Sequence, residues 1–87
     1  MYCEENQLTS LDLSKNILLE SLWCSGNQLT KLDVSENTAL EYLDCSNNDL
    51  ISLNIPKDLN FWVLKYNDNP KLDTSNLPVQ KQRNYLW

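Results

Sequence analysis

Three cysteines, Cys3, Cys24 and Cys45, carry the most reactive side chains of this sequence, and they follow one another at intervals of 21 residues. Thiols of this kind could form a disulfide or bind a metal ion. Residues repeated at one interval are expected to stack at the strand spacing of about 4.8 Å, whereas the Cβ atoms of a disulfide lie about 3.8 Å apart. The odd number of cysteines and the absence of histidine also disfavour disulfides and zinc. We predict free thiols buried as small apolar side chains, and no cofactor.

Asp12 and Asp33 repeat at the same interval and could form a calcium-binding ladder. Such ladders use glycine-rich turns with closely spaced aspartates, and Gly26 is the one glycine of the sequence. The sequence therefore favours outward-facing aspartates that accept hydrogen bonds from nearby turn amides. Catalysis is also disfavoured, because the chain has no histidine, no nucleophile motif and no phosphate-binding loop. We predict a protein without enzymatic activity.

The elements that position these side chains are set by an internal repeat. Apolar residues recur with the period of the cysteines, and so do the asparagines Asn6, Asn27, Asn48 and Asn69. The apolar series are Met1, Leu22, Leu43 and Leu64; Leu8, Leu29 and Leu50; Leu11, Leu32 and Leu53; and Leu13, Val34 and Ile55. A period in the range of about 20 to 29 residues, with leucines followed by asparagine, predicts a stacked solenoid.

Within one repeat, Leu22–Cys24 alternate inward, outward and inward, which is the period of a short strand. Leu32–Val34 alternate in the same way, so a second short extended segment is expected in each coil. Copies of each strand would pair in parallel and in register. Helix is disfavoured, because no window of helical length holds an apolar stripe free of Asn, Asp, Ser or Pro.

The asparagine series follows the first strand of each repeat, where the chain must turn. Turns leave backbone donors and acceptors that cost about 1 to 3 kcal/mol each if they are buried without a partner. A side-chain amide both donates and accepts hydrogen bonds, so each asparagine can bridge the backbone of neighbouring turns. We predict a structural asparagine ladder rather than a row of ligand contacts.

The segment LWCSGNQLTKLDVSENTAL, residues 22–40, resembles the leucine-rich repeat family in its 21-residue bacterial form, LxxLxCxxNxL followed by xxLDVSxN. The resemblance extends over residues 1 to about 69. It implies a leucine-rich repeat solenoid: a right-handed coil of about four turns whose strands line one face, used mainly to bind proteins or carbohydrates. It also suggests an extracellular or cell-surface location, although no signal peptide is recognisable in the sequence.

One domain is expected over residues 1–87, with repeats at about 1–18, 19–39, 40–60 and 61–75 and a capping tail at 76–87. Tyr66 stands where the pattern has cysteine, which indicates that the repeat ends there. We expect the tail to fold Tyr85, Leu86 and Trp87 over the last coil through a short helix that begins near Pro78. Met1 already occupies a leucine position, so an uncapped first coil could pair with another copy or with further repeats.

Specificity is expected on the outward strand face, because this face varies from repeat to repeat. Exposed aromatic side chains are typical of binding hot spots, and carboxylates border them here. The candidate binding residues are Tyr2, Trp23, Tyr42, Asp44, Glu20, Glu41, Trp62 and Lys65. A protein-binding face, a carbohydrate-binding face and ordinary cross-strand neighbours that stiffen a solvated sheet remain open.

The net charge of −5 and the isoelectric point near 4.4 disfavour a nucleic acid partner, whose binding requires clustered lysine and arginine. No apolar run is long enough for a membrane span. We therefore predict a non-enzymatic module that binds a protein partner. Self-assembly through the ends of the solenoid and carbohydrate binding are the alternatives.

Overall fold

The computed structural model describes residues 1–56, 61–75 and 77–78, and the backbone of residues 81–82. Its regular elements are six short strands: β1 Ser21–Trp23, β2 Lys31–Asp33, β3 Tyr42–Asp44, β4 Ser52–Asn54, β5 Val63–Lys65 and β6 Lys81–Gln82. None of the described residues is helical. The prediction of short strands with little or no helix is therefore confirmed for this part of the chain.

The strands form two narrow sheets that run along the stack of coils. β1, β3 and β5 pair in parallel, with Leu22 opposite Leu43 and Leu43 opposite Leu64. β2 and β4 form the second parallel pair, in which Leu32 lies opposite Leu53. Each pairing joins residues 21 positions apart, so one repeat makes one coil. The predicted parallel, in-register stacking is confirmed.

A single apolar core lies between the two sheets. The central leucine of each of the first five strands points inward, and its neighbours in β1 to β4 are half-buried or exposed, as the two-residue period of a strand requires. In β5, Val63 is buried as well. The fully enclosed apolar side chains include Leu22, Cys24, Leu29, Val34, Leu40, Leu43, Cys45, Leu50 and Leu64. Burial of these side chains holds the outward residues of each strand at fixed positions.

The buried asparagines tie successive coils together. Asn48 donates from Nδ2 to the carbonyl oxygens of Cys24 and Cys45 at 3.1 and 3.0 Å, and its Oδ1 accepts from the backbone N–H of Leu29 at 3.1 Å. Asn27 and Asn69 make the equivalent bonds. Asn6, which is exposed, donates from Nδ2 to the nearby carbonyl oxygens of Cys3 and Glu4.

One turn position adopts a left-handed backbone in every coil. Glu5, Gly26, Asn47 and Asp68 lie 21 residues apart and have φ values of 53°, 72°, 53° and 58°. This conformation is disfavoured for residues with a Cβ, least so for asparagine and aspartate. In each coil, the residue directly before the ladder asparagine therefore turns the chain out of the first strand of that coil.

The tail adds a strand to the last coil. β6 pairs antiparallel with β5, with Lys81 opposite Leu64 and Gln82 opposite Val63. The predicted short helix is thus wrong at Lys81–Gln82, because the free edge of β5 offers backbone hydrogen bonds that a short isolated helix cannot match. The expected positions of Tyr85, Leu86 and Trp87 lie outside the described residues.

Candidate binding surface

An aromatic row crosses the outward face of β1 and β3. Tyr2 forms a parallel bridge with Trp23, and their ring centroids are 6.2 Å apart with the planes inclined by 9°. The rings of Trp23 and Tyr42 follow at 6.1 Å and 37°. We use the name aromatic row for Tyr2, Trp23 and Tyr42, which lie in three successive coils. These distances are within the range of favourable ring pairs.

The strand register explains why these three rings meet. Trp23 lies opposite Asp44, so Tyr42, two residues before Asp44, is its diagonal neighbour on the same face. Diagonal neighbours are within reach of long aromatic side chains. Inward Leu22 and Leu43 are fully buried and fix the backbone below the rings.

The three rings of the aromatic row differ in solvent exposure. Tyr2 is 77 % exposed, whereas Trp23 and Tyr42 are half-buried. The Nε1 atom of Trp23 is buried and has no hydrogen-bond partner within the described part of the chain. A ligand could therefore cover the Tyr2 ring without any rearrangement of the core.

Two columns of polar and apolar side chains complete the predicted surface. Asp44 and Lys65 continue the column of Tyr2 and Trp23, since they are partners in the β3–β5 register. The second column precedes the strands: Glu41 N–H donates to Glu20 O at 2.8 Å, and Trp62 N–H donates to Glu41 O at 2.9 Å. The structure places all eight predicted residues in these columns or the aromatic row. Ring contacts join Tyr2 to Trp23 and Trp23 to Tyr42.

The carboxylate of Asp44 is held in place at the end of β3. Its Oδ1 atom accepts hydrogen bonds from the Ser46 backbone N–H at 3.1 Å and from Ser46 Oγ at 2.6 Å. Glu20 and Glu41 are exposed. This side of the molecule therefore combines aromatic rings with one hydrogen-bonded carboxylate and two exposed ones.

Glu4 is an additional acidic residue that the sequence-based selection missed. It follows Tyr2 by two residues, at the repeat position that Ser46 occupies in the third coil, and it is exposed. Its charge contributes to the raised pKa of the Cys3 thiol, after burial, which is the larger cause. The two-residue alternation that continues from Tyr2 was the signal that could have identified Glu4.

The cysteines line the interior below this surface. All three are free, Cys24 and Cys45 are fully buried, and Cys3 is half-buried. Burial raises the pKa of Cys24, and burial followed by the charge of Asp44 raises the pKa of Cys45 to about 12. Among the residues that the structure describes, no group of His, Cys, Asp and Glu is placed to hold a metal ion. At neutral pH the two buried thiols are protonated and act as apolar side chains.

Comparison with protein families matches residues 17–62 to leucine-rich repeats in two copies. This segment is more than half of the chain. The chain belongs to the leucine-rich repeat family. No curated protein and no solved structure matches it.

The family match confirms the predicted leucine-rich repeat solenoid, while the 21-residue bacterial form stays a prediction. Leucine-rich repeat domains generally mediate protein–protein binding, and the family is typically a non-enzymatic scaffold. A search of the described residues for a helix able to cross a membrane finds none.

The second sheet of this leucine-rich repeat domain has a different surface. The outward residues of β2 and β4 are Lys31, Asp33, Ser52 and Asn54, all of them polar. In the adjoining turn, Asp33 Oδ1 accepts from Ser35 N–H at 2.9 Å and from Ser35 Oγ at 2.6 Å. Asp12 makes the same bonds to Ser14. The predicted aspartate–turn bonds are confirmed, and they lower the pKa of both carboxyls.

Proposed function

We propose that this leucine-rich repeat domain binds a protein partner through the outward face of β1, β3 and β5. The observation that carries the proposal is the aromatic row, in which three rings from three coils lie about 6 Å apart on one face. Tyrosine and tryptophan provide a large contact area at low cost in side-chain entropy, and they are enriched among hot-spot residues.

The contrast between the two sheets supports this choice of surface. Both sheets have the same parallel pairing and the same buried central leucines. The described outward residues of β2 and β4 include no aromatic side chain, whereas β1 and β3 provide Trp23 and Tyr42. Aromatic residues are therefore not needed to build a strand pair in this fold. Their presence on one face only favours recognition over structural reinforcement.

Carbohydrate binding is the other use of a row of exposed rings, since the apolar faces of sugars also stack on aromatic side chains. The general role of leucine-rich repeat domains in protein–protein binding favours the protein partner. The experiment below separates the two ligand classes, because the same variants can be tested on immobilised glycans.

Ser21 and Ser52 provide a matched pair of positions for photocrosslinking. Both are half-buried first residues of a strand, one on each sheet. p-Benzoylphenylalanine in place of Ser21 is expected to capture one discrete protein from an extract of the source organism. The same group in place of Ser52 is expected to capture none.

The captured band is expected to disappear when Tyr2→Ala and Trp23→Ala are combined. It is expected to persist in Leu18→Ala, which removes an 82 % exposed apolar side chain elsewhere. Circular dichroism and urea unfolding establish that both variants are folded. Equal capture from both sheets would reject the proposed surface. Glycan binding that depends on the two aromatic residues, with no protein captured, would favour the carbohydrate alternative.

A second candidate function is assembly through the N-terminal coil. Leu8 and Leu11 are half-buried, whereas Leu29 and Leu32, at the same positions one coil later, are buried. An additional coil stacked on this side, from a second copy or from further repeats, would bury them. We expect Leu8→Lys to reduce any increase of the solution mass with protein concentration in light scattering. Tyr2→Ala should leave that increase unchanged. A mass that is independent of concentration in the parent protein would reject this function for the chain.

A further inference from the structure

Four acidic residues lie in or next to the strand positions that carry the aromatic row. Glu4, Glu20 and Glu41 are exposed, and Asp44 is half-buried on the outward face of β3. Among the described residues in the columns of this face, Lys65 is the basic side chain that opposes them. The surface around the three rings thus has an excess of negative charge.

Glu20 and Glu41 lie in neighbouring coils that backbone hydrogen bonds join. The N–H groups of Glu41 and Tyr42 both donate to Glu20 O, at 2.8 and 3.1 Å. Parallel strands at this spacing, about 4.8 Å, bring side chains at equivalent positions close together. Like charges in such an arrangement repel each other, so a cation between them would be stabilising.

Asp44 lies on the strand next to the central ring of the row, that of Trp23. It is the register partner of Trp23, and its carboxylate is held by two hydrogen bonds from Ser46. Because one carboxylate oxygen accepts both bonds, the other remains available as an acceptor. A cation over the Trp23 ring would therefore lie next to a fixed carboxylate, while Glu20 and Glu41, exposed directly before β1 and β3, add negative charge to the same two coils.

The electrostatic effect of these acids extends into the coils. Burial is the largest cause of the raised pKa of Cys24, the neighbouring thiols Cys45 and Cys3 raise it next, and Asp44 and Glu4 raise it after them. Burial and then Asp44 also raise the pKa of Cys45. Asp44 thus contributes to the raised pKa of thiols in two successive coils, after burial.

Aromatic rings attract cations through the negative potential of their faces, and arginine is the more frequent partner. Its planar guanidinium group stacks on rings and donates two parallel hydrogen bonds to a carboxylate, which a lysine ammonium group does not do. Resting on the protein-binding function proposed above, we propose that the partner presents an arginine-bearing extended segment to the aromatic row and its bordering carboxylates.

Synthetic peptides provide the direct test. One peptide alternates arginine with threonine, which favours an extended backbone with all arginines on one side. Matched peptides carry lysine or glutamine in place of arginine. Binding is followed by the NMR signal of the Trp23 indole N–H, assigned with a Trp23→Phe variant. The arginine peptide is expected to bind about three- to tenfold more tightly than the lysine peptide, and the glutamine peptide should not bind.

Two double variants that each remove two negative charges distinguish specific recognition of the arginine peptide from its general attraction to an acidic protein. Glu20→Gln combined with Glu41→Gln is expected to weaken binding of the arginine peptide about tenfold. Glu36→Gln combined with Asp49→Asn removes two exposed carboxylates elsewhere. It should change the affinity less than twofold. Equal weakening by both pairs, or equal affinity for arginine and lysine peptides, would overturn the proposal.

The outcome is distinguishable from a failure of the proposed function. If no arginine peptide binds but photocrosslinking in place of Ser21 still captures a protein that requires Tyr2 and Trp23, the arginine proposal is rejected and the binding face is retained. If crosslinking also fails, both are rejected.

Discussion

The side chain of Asn48 completes the hydrogen bonding of Leu29, nineteen residues earlier, by accepting its backbone N–H at Oδ1 over 3.1 Å. The same amide donates to the carbonyl oxygens of Cys24, Cys45 and Ser46. One buried side chain thus satisfies backbone groups of two coils. Because the contact crosses from coil to coil, it helps to fix the register on which the aromatic row depends.

Asn48→Ala is expected to lower the free energy of unfolding by about 2 to 4 kcal/mol, because it leaves several buried backbone groups without a partner. Asn6→Ala is the matched control at the same repeat position. Asn6 is exposed, and its bonds to Cys3 O and Glu4 O can be replaced by water, so a loss of about 1 kcal/mol or less is expected. Urea unfolding of the two variants measures the difference. Equal losses would mean that the bonds between coils contribute nothing beyond the local turn.

Contacts between residues 21 positions apart could be predicted from the sequence. The conformation of a segment outside the repeat could not, because it depends on the tertiary structure around that segment. Pairing of Leu22 with Leu43 follows from the period alone, because only stacked coils bury both. The strand Lys81–Gln82 carries no such pattern. Its conformation is set by the unpaired edge of β5, which belongs to the tertiary structure.

The candidate binding surface was predictable to a similar degree. Alternation along the strand identifies Trp23 and Tyr42 as outward residues, and the repeat period makes them neighbours. The inclination of their rings depends on side-chain packing, for which the sequence has no signal. Glu4 was not predicted, because serine stands at its repeat position in the next two coils, as Ser25 and Ser46.

The buried thiols predict a pH dependence of stability. In the unfolded chain the pKa of a cysteine is about 8.5, whereas burial raises that of Cys45 to about 12 in the folded protein. The stabilisation is therefore complete below pH 8.5 and is lost as the pH rises towards 12, since only the unfolded chain then releases the proton. Each such thiol contributes a slope of up to about 1.4 kcal/mol per pH unit.

Urea unfolding between neutral pH and about pH 10 measures this slope. In the double variant Cys24→Ala with Cys45→Ala, the free energy of unfolding is expected to fall less steeply with pH than in the parent protein. The variant is nevertheless less stable at neutral pH. Ionisable groups that the two proteins share cancel in the comparison. Parallel curves for the two proteins would show that the thiols have the same pKa in the folded and unfolded chains.

The hydrogen bonds that Ser35 donates to Asp33 predict that a substitution of Ser35 shifts the pKa of the Asp33 carboxyl. The Ser35 side chain, and then its backbone N–H, lower the pKa of the Asp33 carboxyl in the folded state. This stabilisation is present above the pKa of the unfolded chain, about 3.9, and is lost as the pH falls through the folded value. Ser35→Ala should raise the pKa of Asp33 towards 3.9 in an NMR titration. The pKa of Asp12, held by Ser14, serves as the internal control and should not move.

Gly26 provides the last prediction, because its left-handed backbone has φ of 72° and its surroundings are narrow. A Cβ atom at this position would lie 3.1 Å from Glu5 Cγ and 3.3 Å from Glu5 Cα. Gly26→Ala is expected to lower the free energy of unfolding by about 1 to 2 kcal/mol through backbone strain. Gly26→Asn meets the same contacts with a larger side chain, yet asparagine tolerates this conformation better and already occupies the equivalent position as Asn47. We therefore expect Gly26→Asn to be the more stable variant in urea unfolding. The reverse order would mean that contact with Glu5, and not the backbone conformation, determines which residue this turn accepts.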